Sequence, residues 1–296
     1  MNEGGNWSDI FNEIRSVPSS YDTVRHKYYM KLRELTHRNI LCYYSGWQQG
    51  KQTSIDINDS DMEGIMSAVS GMDKKKGLTI LLHTPGGDPT ATESIVSYLR
   101  EFFNDDIEVI VPHMAMSAGT MMACASKVIY MGKQSSLGPV DPQLGGLPAY
   151  NILEEFNEAY QDLKNGNENA VYWNILLSKY PSSFNKFAKD AIDLSEKLIN
   201  QWLSEVMFAD DLDKNNKVEG IVQELNEHTK SKAHGRHFNH KKASEIGLKI
   251  KLLEENQELQ NIVLSLHHSF IISFQRTKAS KIIEGPKSAY ILFDNK

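Results

Sequence analysis

Residues 78–103, LTILLHTPGGDPTATESIVSYLREFF, decide the fold. Leu78 to His83 is a short apolar run bounded by turn residues, the signature of a buried strand, and Thr84-Pro85-Gly86-Gly87 is the turn that ends it. Thr90 to Phe103 then carries Ile95, Val96, Leu99 and Phe103 at helical spacing. The same rhythm returns at once: Ile107 to Pro112 as strand, Met116 to Ser126 as a helix of small residues, and Val128 to Met131 as a third strand. Strands alternating with helices at this interval predict right-handed βαβ crossovers and a mostly parallel sheet, hence an α/β protein.

Working outward, residues 8 to 37 predict a helical hairpin, with Ile10, Ile14 and Val17 and then Tyr28, Leu32 and Leu35 on one side, interrupted near Pro18. Asn39 to Tyr44 predicts a strand, Ser45 to Asn58 a polar loop, and Asp59 to Val69 a helix. Residues 150 to 208 predict helices broken at Lys164 to Asn169, followed by a loop and strand over His234 to Ile250. A last amphipathic helix is expected at about 252 to 276, where Leu259, Ile262, Val263, Leu266 and Phe270 form a stripe suited to core or subunit interface. The organisation expected is an N-terminal extension over 1–70, a central domain over 71–250, and a C-terminal helix and tail over 251–296.

The 296 residues carry 38 acidic and 32 basic side chains, a formal charge of -6, which offers no basic face for nucleic-acid phosphates. Cys42 and Cys124 are the two cysteines; with no CxxC and no secretory leader, free buried thiols in a reducing cytoplasm are expected. The longest uncharged stretch, Val109 to Ser126, is interrupted by Pro112, His113, Ser117 and Gly119, so no membrane span is expected.

Three turns carry the chemistry. Paired glycines after a strand, Gly86-Gly87, let backbone N–H groups approach an oxyanion or a phosphate, and they also suit a plain tight turn. Ser117, in Met116-Ser117-Ala118-Gly119-Thr120, leaves a strand and opens a helix. At such an elbow a serine serves either as a helix cap or as a presented hydroxyl beside an N–H that can stabilise a negative oxygen. The third turn is SSLGPVDPQLGG, residues 135–146.

Taken together, TPGGDPTATE, the MSAGT elbow and SSLGPVDPQ resemble the serine dehydrogenase proteinase family, relatives of signal peptide peptidase A and the Clp proteolytic subunit within the Clp/crotonase superfamily. The resemblance spans about residues 75 to 250. It implies a Clp/crotonase-like fold of repeated β-β-α units and a serine peptidase needing no cofactor and no metal. Ser117 would be the nucleophile, with the N–H groups of Gly87 and Ala118 as oxyanion hole and Gly86 allowing the backbone to turn. It further implies an extended or unfolded polypeptide as substrate and a ring or stack of identical subunits.

The base stays open at this level. Asp141 stands where the Clp pattern has its catalytic histidine. One solution has His234 as the imidazole, oriented by Asp141; its ordinary pKa near 6.5 suits neutral pH. The other has a lysine, as in signal peptide peptidase A, whose pKa must fall by roughly three units, a cost of about 4 kcal/mol that only burial imposes. Lys197 is the better lysine; Lys127, ten residues beyond Ser117 and about 15 Å along a helix, is excluded, and Lys164 lies in a polar break. His83 and His113 end adjacent strands and are either pocket-lining or structural. His234, His237 and His240 recur every third residue, a spacing that suggests metal, yet the helix period and the loop-like Gly235 put no defined geometry on them, and no metal site is expected. Three functions follow: serine peptidase, crotonase-like acyl-thioester enzyme, or a scaffold of the same fold without catalysis.

Overall fold

The computed structural model describes residues 7–16, 21–166, 169–226 and 236–294. Its centre is a seven-stranded sheet. Four adjacent pairs are parallel and join β1 (Asn39–Ser45), β2 (Leu78–His83), β3 (Ile107–Val111), β5 (Ile129–Met131) and β10 (Ile250–Leu252). On the other side of β1 lie β11 (Ala279–Glu284) and β12 (Ala289–Phe293), both antiparallel to their neighbours. Short strands outside this sheet are β4 (Met114–Ala115), β6 (Ser136–Leu137), β7 (Gln143–Leu144), β8 (Leu147–Pro148) and β9 (Phe238–Asn239).

Helices cover both faces, which is why β1 is buried at every position rather than at alternate ones. Leu41 and Tyr43 enter one core with α3 (Asp61–Val69), α4 (Pro89–Phe103), α5 (Ala118–Cys124) and α8 (Phe184–Trp202). Ile40, Cys42 and Tyr44 enter a second core with α1 (Trp7–Ser16) and α2 (Tyr21–Thr36). The period-two geometry of a strand makes that division automatic. Helix α4 starts where it does because the Asp88 side chain accepts from the N–H groups of Thr90 at 2.7 Å and Ala91 at 3.3 Å, with Pro89 in the first turn. It stops at Asn104, whose φ of 51° is left-handed.

Several boundaries differ from the sequence expectation. Helix α5 spans Ala118–Cys124 rather than 116–126, because Ser117 has a positive φ that no helix accepts. The expected helices of 150–208 are α6 (Ala149–Lys164), α7 (Ala170–Leu177) and α8, ending in a π turn at Leu203–Met207. Two helices were not anticipated, α9 (Lys214–Asn226) and α10 (His240–Glu245). The last helix, α11 (Gln257–Arg276), is followed not by a tail but by the β11–β12 hairpin. The α11 stripe of Ile262, Val263, Leu266 and Phe270 packs in the second core against α1, α2 and the sheet, so it is covered by its own chain and not by another subunit. Both cysteines are free and buried, and burial pushes the Cys124 thiol up to about 12.

Candidate active site

The site is made where the first two turns are fastened together. Thr84 N donates to Met114 O at 3.1 Å and Met116 N donates to Thr84 O at 3.0 Å, so the strand leading into each turn is locked to the other. The third turn joins them through one side chain: Thr120 Oγ1 lies 2.9 Å from the carbonyl oxygens of both Ala115 and Gly138, and Gly138 N donates to it at 3.0 Å.

Ser117 occupies the cap position of α5 with φ 50° and ψ -119°, and its hydroxyl makes no capping hydrogen bond. Asp88 shows what a cap does; Ser117 does not do it. A non-glycine residue held in this region costs on the order of 1–3 kcal/mol, which the surrounding zipper of turns must hold in place. Half-buried, the serine presents a hydroxyl with no hydrogen-bond partner among the described residues, beside the Ala118 N–H at the first turn of the helix.

Gly86 and Gly87 have φ of 103° and 153°, values that favour glycine. A Cβ on Gly86 would come 2.8 Å from Ser117 Cβ and 2.7 Å from Met116 O, so the glycine turn lies directly against the elbow. Gly87 is gripped from behind by Ile57: Ile57 N donates to Gly86 O and Asp88 N donates to Ile57 O, both at 2.8 Å. That leaves the Gly87 N–H facing away from Ile57, with no hydrogen-bond acceptor among the described residues.

A cavity of about 310 Å³ opens beside these groups. Ser117, Gly87, Pro85 and Pro89 form one side; Met121, Val140, Pro142, Gln143 and Leu144 form the wall; Ala191 and Ser195 of α8 close it, and Asp56 stands at its edge. Asp141 is fully buried between two lining residues and accepts from Gln143 Nε2 at 2.9 Å. Lys197 is exposed on α8, two residues from Ser195 and so turned to another side of the helix; it lacks the burial that a lysine base requires. His234 lies outside the described residues. Lys127 pairs with Asp106 at 3.2 Å, away from the site.

His83 and His113 do not line the cavity. With His267 of α11 they form a cluster of rings whose centroids lie 5.2 to 5.9 Å apart, closed by Trp47 and Tyr44. His83 is fully buried, and desolvation, with His113 adding to it, pushes its pKa down to about 3. Burial also lowers His267 and His113. These rings are packing for the strand ends from which both site turns depart.

Sequence reasoning missed Asp56 and Ser195. Asp56 sits in a polar loop with no periodic signal. Ser195, buried with its Oγ unpaired among the described residues, is one of several polar residues on an amphipathic helix.

The comparisons agree with this architecture. The family described as ClpP-like SDH-type serine proteinase matches residues 50–263, and the chain belongs to that family. The uncharacterized protein MJ0137 of Methanocaldococcus jannaschii is 40% identical over 106 residues, 36% of this chain and 37% of the relative. A second from the same organism, the uncharacterized protein MJ1495, is 40% identical over 100 residues, 34% of either protein. The chain thus matches about a third of the length of each curated relative. Among the described residues no helix is long and apolar enough to cross a membrane.

Proposed function

We propose that this chain is a cytoplasmic serine endopeptidase that cleaves extended or unfolded polypeptides without ATP of its own. Ser117 Oγ attacks the scissile carbonyl carbon while the base takes its proton. The tetrahedral oxygen is held by the N–H groups of Gly87 and Ala118, the C–N bond breaks with the proton passing to the leaving amine, and water then hydrolyses the ester. The observation that carries this reading is the backbone of Ser117: a positive φ at a helix start, its hydroxyl making no cap, facing a glycine turn.

The base is His234, oriented by Asp141. Two anchors support the assignment. Val140 N donates to Leu225 O at 3.0 Å, and Leu137 pairs with Phe238, so the chain on each side of residues 227–235 is tied to the turn that holds Asp141. Identical subunits associate through α6 and α7, where Tyr160, Val171, Tyr172 and Ile175 are each about 60% exposed or more.

The test is hydrolysis of casein by the wild type and by Ser117→Ala, side by side from pH 6 to 9. Activity lost in the variant, with a rise centred near pH 6.5 that disappears in His234→Ala but not in Lys197→Ala, is the expected result. A folded wild type with no activity at any pH would overturn the reading.

A further inference from the structure

The cavity beside Ser117 has apolar walls, made by Pro85, Met121, Val140 and Leu144 among others, and among the described residues one ionisable side chain lines it, that of Asp56. How Asp56 is held determines what its carboxylate can do. Its carbonyl oxygen accepts from Lys281 Nζ at 2.7 Å and from Asn58 Nδ2 at 2.8 Å, and the next residue, Ile57, clamps the Gly86-Gly87 turn. The backbone is therefore fixed on the same turn that faces Ser117. Lys281 is the nearby cation, yet its ion pair is spent elsewhere, on Asp61 Oδ1 at 2.6 Å. The Asp56 carboxylate makes no hydrogen bond or ion pair among the described residues. Although Asp56 is exposed at the rim, its carboxyl is crowded enough for desolvation to raise its pKa; the Lys281 charge opposes this and Asp61 adds to it.

We propose that this cavity takes a lysine or arginine side chain from the substrate residue on the acyl side of the scissile bond, its methylene stem against the apolar walls and its charge on Asp56. Long cationic side chains bury an apolar stem while keeping the head at a polar rim, which matches the distribution of groups here. This specificity rests on the reading of Ser117 as the nucleophile.

The experiment uses three peptide amides with a fluorescent leaving group, identical except for lysine, norleucine or glutamate at that residue. In the wild type, kcat/KM for the lysine peptide exceeds that for norleucine by about tenfold or more, the scale of a charge-assisted hydrogen bond. Asp56→Asn brings the ratio to within about twofold, and Asp56→Lys turns the preference toward glutamate. Binding of the same peptides, without the fluorophore cleaved, to Ser117→Ala is read in parallel by fluorescence anisotropy. Equal binding and equal hydrolysis of lysine and norleucine peptides would overturn the proposal. Preferential binding of the lysine peptide to Ser117→Ala, lost on adding Asp56→Asn, sustains it even where the wild type hydrolyses nothing, an outcome that would refute the peptidase reading instead.

Discussion

Lys281 Nζ lies 2.6 Å from Asp61 Oδ1, with both side chains wholly removed from solvent. Around this pair Tyr43 Oη donates to Asp61 Oδ2 at 2.7 Å and Asn58 N donates to the same oxygen at 3.0 Å, while Lys281 reaches the Asp56 carbonyl. A buried pair whose remaining polar atoms are satisfied in this way is an organising centre for residues 56–58, and through Ile57 for the glycine turn of the site.

Lys281→Met is expected to destabilise the protein by about 3–5 kcal/mol, because it strands the Asp61 charge in the core. Adding Asp61→Leu should return only part of that stability, since it removes the stranded charge but leaves the Tyr43 hydroxyl and the Asn58 N–H without their acceptor. Peptidase activity should stay low in the double variant, because the Asp56 carbonyl still lacks its ammonium donor and keeps Asn58 Nδ2 alone. Urea melts of the three proteins beside their casein hydrolysis rates decide it; full activity in the double variant would show that the pair only maintains the fold.

Backbone strain at Ser117 predicts an exchange of stability against function. Ser117→Gly removes the Cβ from a φ of 50° and should raise stability by on the order of 1 kcal/mol while abolishing hydrolysis. Thermal unfolding of this variant against Ser117→Ala, which keeps the Cβ and the strain, isolates the backbone contribution. A Gly variant no more stable than the Ala variant would mean that the elbow is unstrained.

Gly86→Ala should leave a folded, inactive protein. Its Cβ would press on Ser117 Cβ and Met116 O at under 3 Å, so the elbow must shift by tenths of an ångström. Gly87→Ala is harsher, since its Cβ would meet Ile57 N and O at 2.3 Å and force the clamp open. Labelling of Ser117 by a fluorophosphonate, measured together with circular dichroism, should fall at least tenfold for Gly86→Ala with the spectrum unchanged, the scale of a misplaced catalytic group.

The histidine cluster predicts acid sensitivity. His83 is neutral in the folded chain down to about pH 3 but takes a proton near pH 6.5 when unfolded. Its contribution is therefore complete above pH 6.5 and is lost as pH falls from there, reaching about 2 kcal/mol at pH 5. The groups facing it are Tyr44 from β1, Trp47, His113 beyond β3 and His267 from α11. His83→Phe should flatten the dependence of the melting temperature on pH between 6.5 and 5; an unchanged slope would rule out His83 as its source.

The strands and turns from 78 to 131 were legible because their hydrophobic runs and glycines are local signals. So were Ser117 and its neighbouring glycine turn, which the fold brings together as the resemblance implied. Asp56 and Lys281 were not, because what matters about them is a contact between a polar loop and a distant strand, and no local pattern encodes it. The β11–β12 hairpin, expected as part of a tail, was hidden for a related reason: Ser280, Lys281 and Glu284 give its first strand a polar sequence, and each is buried against a partner that no local pattern reveals. Lys197 illustrates the converse. Its sequence surroundings gave it weight as a base, but helical phase turns it away from the side of α8 that meets the cavity.

The place of β11 in the sheet also has a meaning in time. Synthesis proceeds from amino to carboxy end, so β1, residues 56–58 and the Ser117 elbow all emerge from the ribosome before Lys281 exists. Until β11 has been made, β1 lacks one neighbour, Asp61 has no countercharge and the Asp56 carbonyl has no ammonium donor. The glycine turn and the serine elbow can thus be fastened to each other through Thr84, Met114 and Met116 before the lysine that steadies residues 56–58 behind them has been translated.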